Sequence, residues 1–419
     1  MFGFGNCNNP ISMQNSFLSV LRYPDFKRMW LSQVFSQIAL NIVTYALVLH
    51  IFETTGRATS ISLVMIASAI PVAIFGPFSG IFADKVNYRK IMIYTNFLRF
   101  FTALLLLVAN SNVLALLEIV FLISAISQFF TPAESSSVPL VVPREQLVSA
   151  NSVIMTTTYA TLLLGYSLAG PLLQLFGPFW VYFFCAILFL VATFFTRLLS
   201  EFDKKIVKNI SFEILAIKID HVWHKIKESV KYVIGKKSIL EPMIKLTVGW
   251  TVLGAFITLL PAYGKDVLGI DPKLIGTVII LPAGVGMILA VLVINRMKRF
   301  KHERIINGGF LISSLALLLF SFYHYYQTLS FSRFLIFLLV LVIGFGSSMI
   351  QVPAQTLLHL NSDEDKRGSV FGISSMQLRL ATALPALVIG GVSDLTSPLI
   401  TMILLAVTVL IYAMILVFE

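Results

Sequence analysis

Ionisable side chains inside long apolar runs are the first place to look for chemistry, because each costs free energy at depth and is rarely there without a use. Arg99, Glu118 and Arg379 are of this kind. Arg99 lies about nine residues into its run, so about 13 Å deep at the helical rise. An arginine there either pairs with a buried acid, as a structural cation, or holds an anion. Arg379 lies at comparable depth in a later run, beside Gln377. Glu118 is a proton-exchange candidate, although it stands close enough to one end for its carboxylate to reach water. Gln33, Gln37, Asn41 and Tyr45 recur every four residues, which makes one polar stripe on a helix. Amides facing lipid would go unsatisfied, so the stripe faces a polar cavity or a neighbouring helix. Gln128 and Arg379 join the stripe as cavity candidates.

The segment from Gly80 to Lys90 suggests a different chemistry. Gly80 permits close approach of a helix, and Asp84 can cap a helix or meet a cation. Lys85, Arg89 and Lys90 can pair with carboxylates on a facing segment. Pairs that form in one conformation and break in another make a bistable latch.

Other chemistries find little support. Two cysteines, Cys7 in a polar tail and Cys185 in an apolar run, have no metal-ligand spacing, and the six histidines are scattered. No metal or cofactor is expected. No G-x-x-x-x-G-K-[ST] loop and no nucleophile–base arrangement appears, so neither ATP drive nor enzymatic catalysis is expected.

These residues must be positioned by membrane helices. Of the 419 residues, 57% are hydrophobic and 12% charged, with a mean hydropathy of +0.89. A soluble chain of this length carries about twice that share of charge. Apolar runs predict twelve spans, at 28–52, 60–82, 91–109, 113–131, 148–175, 179–199, 243–262, 274–295, 305–323, 334–357, 369–392 and 397–418. With the N-terminus inside, the outer loops hold only Arg57, Lys265, Lys273 and Arg333. Apart from Arg99 and Arg379, the other lysines and arginines fall on or beside the inner face, as the positive-inside rule requires. Topology thus accounts for the net charge of +11, and no nucleic-acid partner is implied. Both termini are expected inside the cell, and no removable signal peptide is read in the first 26 residues.

The expected organisation is a tail (1–27), a first six-helix half (28–199), a linker (200–242) and a second six-helix half (243–419). Phe212, Leu215, Ile219, Val222 and Ile226 give the linker one apolar stripe, suited to lying on the lipid headgroups. Pro132-Ala133-Glu134 recurs 221 residues later as Pro353-Ala354-Gln355, which fits a parallel repeat of six helices.

Gly80-Ile81-Phe82-Ala83-Asp84-Lys85-Val86-Asn87-Tyr88-Arg89-Lys90 resembles the G-x-x-x-D-R-x-G-R-R/K loop of the major facilitator superfamily. Lys85 replaces the usual arginine and Asn87 the usual glycine. Asn tolerates a left-handed turn, so the loop shape can survive. Phe130 to Glu134, Val142 to Ser152 and Phe26 to Gln33 resemble the branch holding macrolide-efflux proteins and the enterobactin exporter. Gly165, Gly170 and Pro171 resemble the G-x-x-x-G-P motif of antiporters, with a glycine spacing of five instead of four. Small residues also serve plain helix packing.

The resemblance implies an all-α integral membrane protein, twelve helices in a 6+6 parallel repeat, working as a monomer by alternating access. Spans 1, 4, 7 and 10 would hold the substrate. It further implies proton-coupled export of amphipathic small molecules such as drugs, macrolides or siderophores. Many relatives carry an acid in span one, and this sequence has none there. Movement of a lysophospholipid is an alternative reading, and a non-transporting scaffold or sensor is another. The latch residues and glycines argue against the scaffold, which needs no rocking gate.

Overall fold

The computed structural model describes residues 19–109, 112–201, 219–294, 296, 301–328, 331–363 and 366–418. Helices dominate them: α1 (Pro24–Thr55), α2 (Ala58–Lys85), α3 (Tyr88–Val108), α4 (Val113–Val141), α5 (147–176) and α6 (178–197) precede the linker. The linker ends in α7 (Ile219–Gly235). Then follow α8 (Lys237–Asp266), α9 (Leu281–Ile294, entered through a π turn at Gly276–Ile280), α10 (His302–Ser321), α11 (Ser332–Asn361), α12 (Arg367–Leu395) and α13 (Pro398–Phe418). Among the described residues, eleven helical segments are long and apolar enough to cross a membrane. One of these runs from Arg144 to Arg197 and is broken at Gly177, so the spans number twelve.

Gly177 makes the turn between α5 and α6 without a loop. Its backbone sits at φ 74, ψ 168, a region that side chains disfavour, and Pro178 then starts α6. The expected boundary between spans five and six falls at this residue.

The helix expected to end at residue 131 instead runs on to Val141, through Pro132 and Pro139. Apolarity ends near Thr131, but helix does not. Ala133, Glu134, Ser137 and Val138 are buried against protein, so lipid does not have to tolerate them. α11 runs through Pro353 in the same way. Ala133 and Ala354, the centres of the repeated tripeptide, are both fully buried.

The first half packs as α1 on α5, α3 on α6 and α2 on α4, and the second as α8 on α11 and α12, α10 on α11 and α13, and α9 on α11. The two halves meet mainly where α2 lies along α12 and where α5 meets the turn leading into α9. Of the linker stripe, Phe212 and Leu215 lie outside the described residues. α7 is fastened at its end, where Lys236 Nζ reaches Asp363 at 2.8 Å and Tyr232 donates to the same carboxylate at 2.7 Å. Hydrogen bonds from Lys236 and Tyr232 hold the Asp363 carboxyl below its ordinary range.

Candidate functional site

"Outer" denotes the face carrying the α1–α2 and α8–α9 connections, following the charge pattern. At that face the halves are joined closely. Asp394, near the C-terminal end of α12, caps the N-terminus of α2: its carboxylate accepts from the backbone N–H of Ala58 at 2.8 Å and of Thr59 at 3.0 Å. The Thr59 hydroxyl donates to it as well. Such a cap satisfies donors that a helix start leaves open and meets the positive end of the helix dipole. One turn in, Ser62 Oγ donates to the Ala386 carbonyl at 2.7 Å. Thr277 Oγ1 donates to the Ser167 carbonyl at 2.7 Å, and Lys273 pairs with Glu53 at 3.0 Å. Glycines let the backbones touch. A Cβ on Gly390 would meet Ser62 and Ala58, one on Gly170 would strike the Lys273 carbonyl, and one on Gly276 the Tyr166 carbonyl.

The same helix faces separate toward the inner side. Gly372 precedes Gly390 by five whole turns on one face of α12, and a Cβ there would meet nothing within 4 Å. Gly76 of α2, fourteen residues past Ser62, is equally open. On α5, Tyr166 and Leu163 contact the second half at Gly276 and Gly284. Their counterparts two turns inward, Tyr159 and Met155, are 60% and 65% exposed. The halves therefore enclose a gap that is shut outside and open inside.

Tyr45 of α1 and Tyr166 of α5 stack at 5.1 Å between ring centroids at the closed end of this gap. Tyr45 is 2% exposed, and its hydroxyl finds no hydrogen-bond partner among the described residues. Arg379 of α12 is exposed and lies within electrostatic reach of Tyr166. It precedes Ala386 by seven residues and Gly390 by eleven, so it shares the face that joins α2 further out.

The rest of the polar stripe points elsewhere. Gln33 is 1% exposed and donates to the Ile154 carbonyl at 3.3 Å and Thr158 at 3.1 Å. Asn41 is buried against Gly165. Gln33 and Asn41 therefore knit α1 to α5 and do not line the gap, a correction to the expectation. The stripe is too narrow to serve both surfaces, and the wide α1–α5 contact takes most of it. Gln37 is partly buried, and Gln128 folds back onto the Ser124 carbonyl of its own helix at 3.1 Å. Gly165 and Gly170 act as close-packing residues, one within the first half and one across the halves; Pro171, partly buried, follows inside α5.

Arg99 sits in a second polar cluster inside the first half. It is 2% exposed and donates to Ser36 Oγ at 2.7 Å and Asn96 Oδ1 at 3.3 Å. Its guanidinium lies 4.7 Å over the Phe130 ring. Asn96 reaches Ser32 at 3.2 Å, and Ser32 meets Thr196 at 2.6 Å, so α1, α3 and α6 share one network. The acid that interacts with Arg99 is Glu134, 5% exposed, with one carboxylate oxygen left without a hydrogen bond. Glu134 stands three residues past the apolar run predicted to end at residue 131, a place that apolarity alone puts at the membrane surface. The continuation of α4 past Pro132 carries it instead into the protein. The repeat of Ser32 and Ser36 at four residues and of Asn96 and Arg99 at three signals the cluster in sequence. Glu118 is exposed near the start of α4.

At the expected latch, Gly80 and Asp84 fall in the last turns of α2, and the side chains of Asp84 and Lys85 lie outside what the structure describes. Asn87 takes no left-handed turn. At φ −63, ψ 119 it is extended and caps α3, its side chain accepting from the Lys90 N–H at 3.3 Å. Lys90 is exposed. Arg89 donates to the Arg197 carbonyl at 2.7 Å and reaches Glu201 at 3.3 Å, so here it ties α3 to the end of α6 within its own half.

Two six-helix halves around a gap open at one end make the architecture of a membrane transport protein. A family model described as Major Facilitator Superfamily matches residues 29–386, and the chain belongs to that family. It is a multi-pass membrane protein of a transporter family. Macrolide efflux protein A of Streptococcus pyogenes is 30% identical over 134 residues, which cover 29% of this chain and 31% of that relative. The chain thus spans about a third of the curated relative it matches there. An uncharacterized MFS-type transporter, YfiS of Bacillus subtilis (strain 168), is 24% identical over 81% of this chain and 79% of its own. Among solved structures, the nucleoside transporter NupG superposes with a TM-score of 0.71 at 15% identity, covering 94% of this chain and 98% of NupG. The POT family transporter PepTSo gives 0.70 at 14%, covering 94% and 97%. These two similarities speak for the fold alone.

Proposed function

We propose that this protein is a secondary active exporter of amphipathic small molecules in the plasma membrane, working as a monomer by alternating access with both termini inside. The one-sided junction carries the reading: the faces of α2, α5 and α12 that touch outside are apart inside. A molecule entering from the cytoplasm or inner leaflet reaches the Tyr45–Tyr166 pair. Closure over it would break the Asp394 cap and the Lys273–Glu53 pair, and the Gly80–Lys90 segment would latch the inner side. Likeness to a macrolide efflux protein over part of the chain supports outward transport of an amphipathic compound.

The proposed drive is the proton gradient. Two acids within the spans are candidates for it, Glu118 and Glu134. Glu134 is the better placed, because a proton arriving there changes the charge balance of a buried network that binds three helices to Arg99. Substrate-triggered proton flux in inside-out vesicles, with an imposed pH gradient and a panel of macrolides, lipophilic dyes, siderophores and lysophospholipids, tests the proposal. Gradient collapse by at least one compound, above empty vesicles, is the expected result. Substrate movement that neither dissipates nor follows the gradient would remove the proton from the scheme, and retained flux in Glu134→Gln would return the role to Glu118.

A further inference from the structure

We propose that Arg379 and the Tyr45–Tyr166 pair form an anion-recognising site in the gap, so that the transported molecule is an amphiphile bearing an acidic group, carboxylate or phosphate. The inference rests on the alternating-access reading and adds the charge class of the substrate.

A lipid-facing arginine at mid-span is costly, and the geometry of α12 places Arg379 elsewhere. Its helix face is the one that carries Ala386 and Gly390 against α2 two and three turns further out. The neighbouring face, through Thr382 and the Ala381 carbonyl, is taken by Gly254 and Thr251 of α8. Arg379 therefore looks into the space between the halves, where Tyr166 is its electrostatic neighbour. Among the described residues it has no carboxylate partner. Arg99 differs in this respect, being wrapped in Ser36, Asn96, Phe130 and Glu134. An arginine held at depth, exposed and without an acid is a vacant counter-ion, and its planar fork matches a carboxylate or phosphate with two parallel hydrogen bonds.

The tyrosines supply the other half of the recognition. Tyr166, partly exposed and backed by the buried ring of Tyr45, offers an apolar wall to the body of the molecule. The Tyr45 hydroxyl, buried and without a partner, is a donor that a polar substrate atom can satisfy. A cationic compound would meet Arg379 as a like charge in a poorly screened space, so the site selects against it.

Binding in zwitterionic lipid nanodiscs, with empty discs subtracted, tests the assignment without requiring transport. Two probe pairs separate the two sources of an acidic head: naphthylacetate against naphthylacetamide, and lysophosphatidylglycerol against lysophosphatidylcholine. We expect the acidic member of at least one pair to bind about tenfold or more tighter. Preference in the first pair identifies a free organic acid, and preference in the second a lipid. Arg379→Gln should erase the preference, Arg379→Lys should keep part of it, and Tyr45→Phe should weaken both members of the pair alike. Equal binding of acid and neutral probes, retention of the preference in a folded Arg379→Gln protein, or no binding of any probe overturns the assignment. Acid-selective binding without vesicle transport would instead count against the exporter reading and leave the site standing.

Discussion

Among the described residues, Arg99 and Glu134 are the buried charged side chains, and each lies within the other's electrostatic reach. Removing Arg99 takes away its hydrogen bonds to Ser36 and Asn96 and leaves Glu134 buried without the field of the guanidinium, and buried polar groups stripped of their partners cost about 1–3 kcal/mol. Arg99→Ala should therefore lower the Tm of the purified protein sharply, and adding Glu134→Ala should restore part of the loss. An unchanged Tm in the single variant would show that the pair is no pair. Part of this site was legible in the chain and part was not. Arg99 stood out because charge at depth is rare. Glu134 did not, because hydropathy describes what suits lipid, and the end of α4 is surrounded by protein. Tyr166 was invisible for a different reason: a tyrosine in an apolar run marks nothing until its partner across the helix is known.

Among the elements, the glycines and the helix turns decide how spans meet. Gly170 touches the Lys273 backbone across the halves, so even one added methyl must push them apart. In Gly170→Ala, a cysteine placed at Ser62 should react faster with a membrane-impermeant maleimide added outside; equal labelling would mean the junction absorbs the methyl elsewhere. Gly177→Ala forces a side chain into a positive-φ region that essentially only glycine occupies, at a cost of about 1–3 kcal/mol, and should lower Tm without changing which spans cross. The proposed latch lies at the opposite end of α2. Asp84→Ala should cut transport severely while leaving membrane insertion and Tm nearly unchanged, since a gate residue acts in the state that is open outside. Full transport by this variant would sink the latch. The number and sequence of spans were readable from apolar length alone. The role of the polar stripe in α1 was not, because one helical face can serve a cavity or a neighbour and sequence does not record which.

For the whole molecule, the decisive property is that, among the described residues, the contacts between the two halves gather at the outer end. Joining Glu53→Cys to Lys273→Cys with a short, reducible thiol-specific cross-linker should hold the outer side shut and stop transport, and reduction should restore it. Cys185 is buried and free, away from this junction. Transport that continues through the cross-linked protein would mean that the outer junction never opens. The 6+6 arrangement was visible as a repeated tripeptide and a basic linker, since those features follow from duplication and topology. The conformation was not visible, because both states of a rocking pair are written with the same residues.

The outer junction is made of glycine backbones, hydroxyl-to-carbonyl bonds and one capped helix start, with a single ion pair at its rim. Dissolved salt screens separated surface charges and leaves such contacts almost untouched. The proposed inner latch, rich in lysine and arginine, would rely instead on charge pairs that salt weakens. Ionic strength is therefore a one-sided variable for this molecule: raising it on the cytoplasmic side should lengthen the time spent waiting for cargo, whereas the same change outside should leave that dwell time as it was.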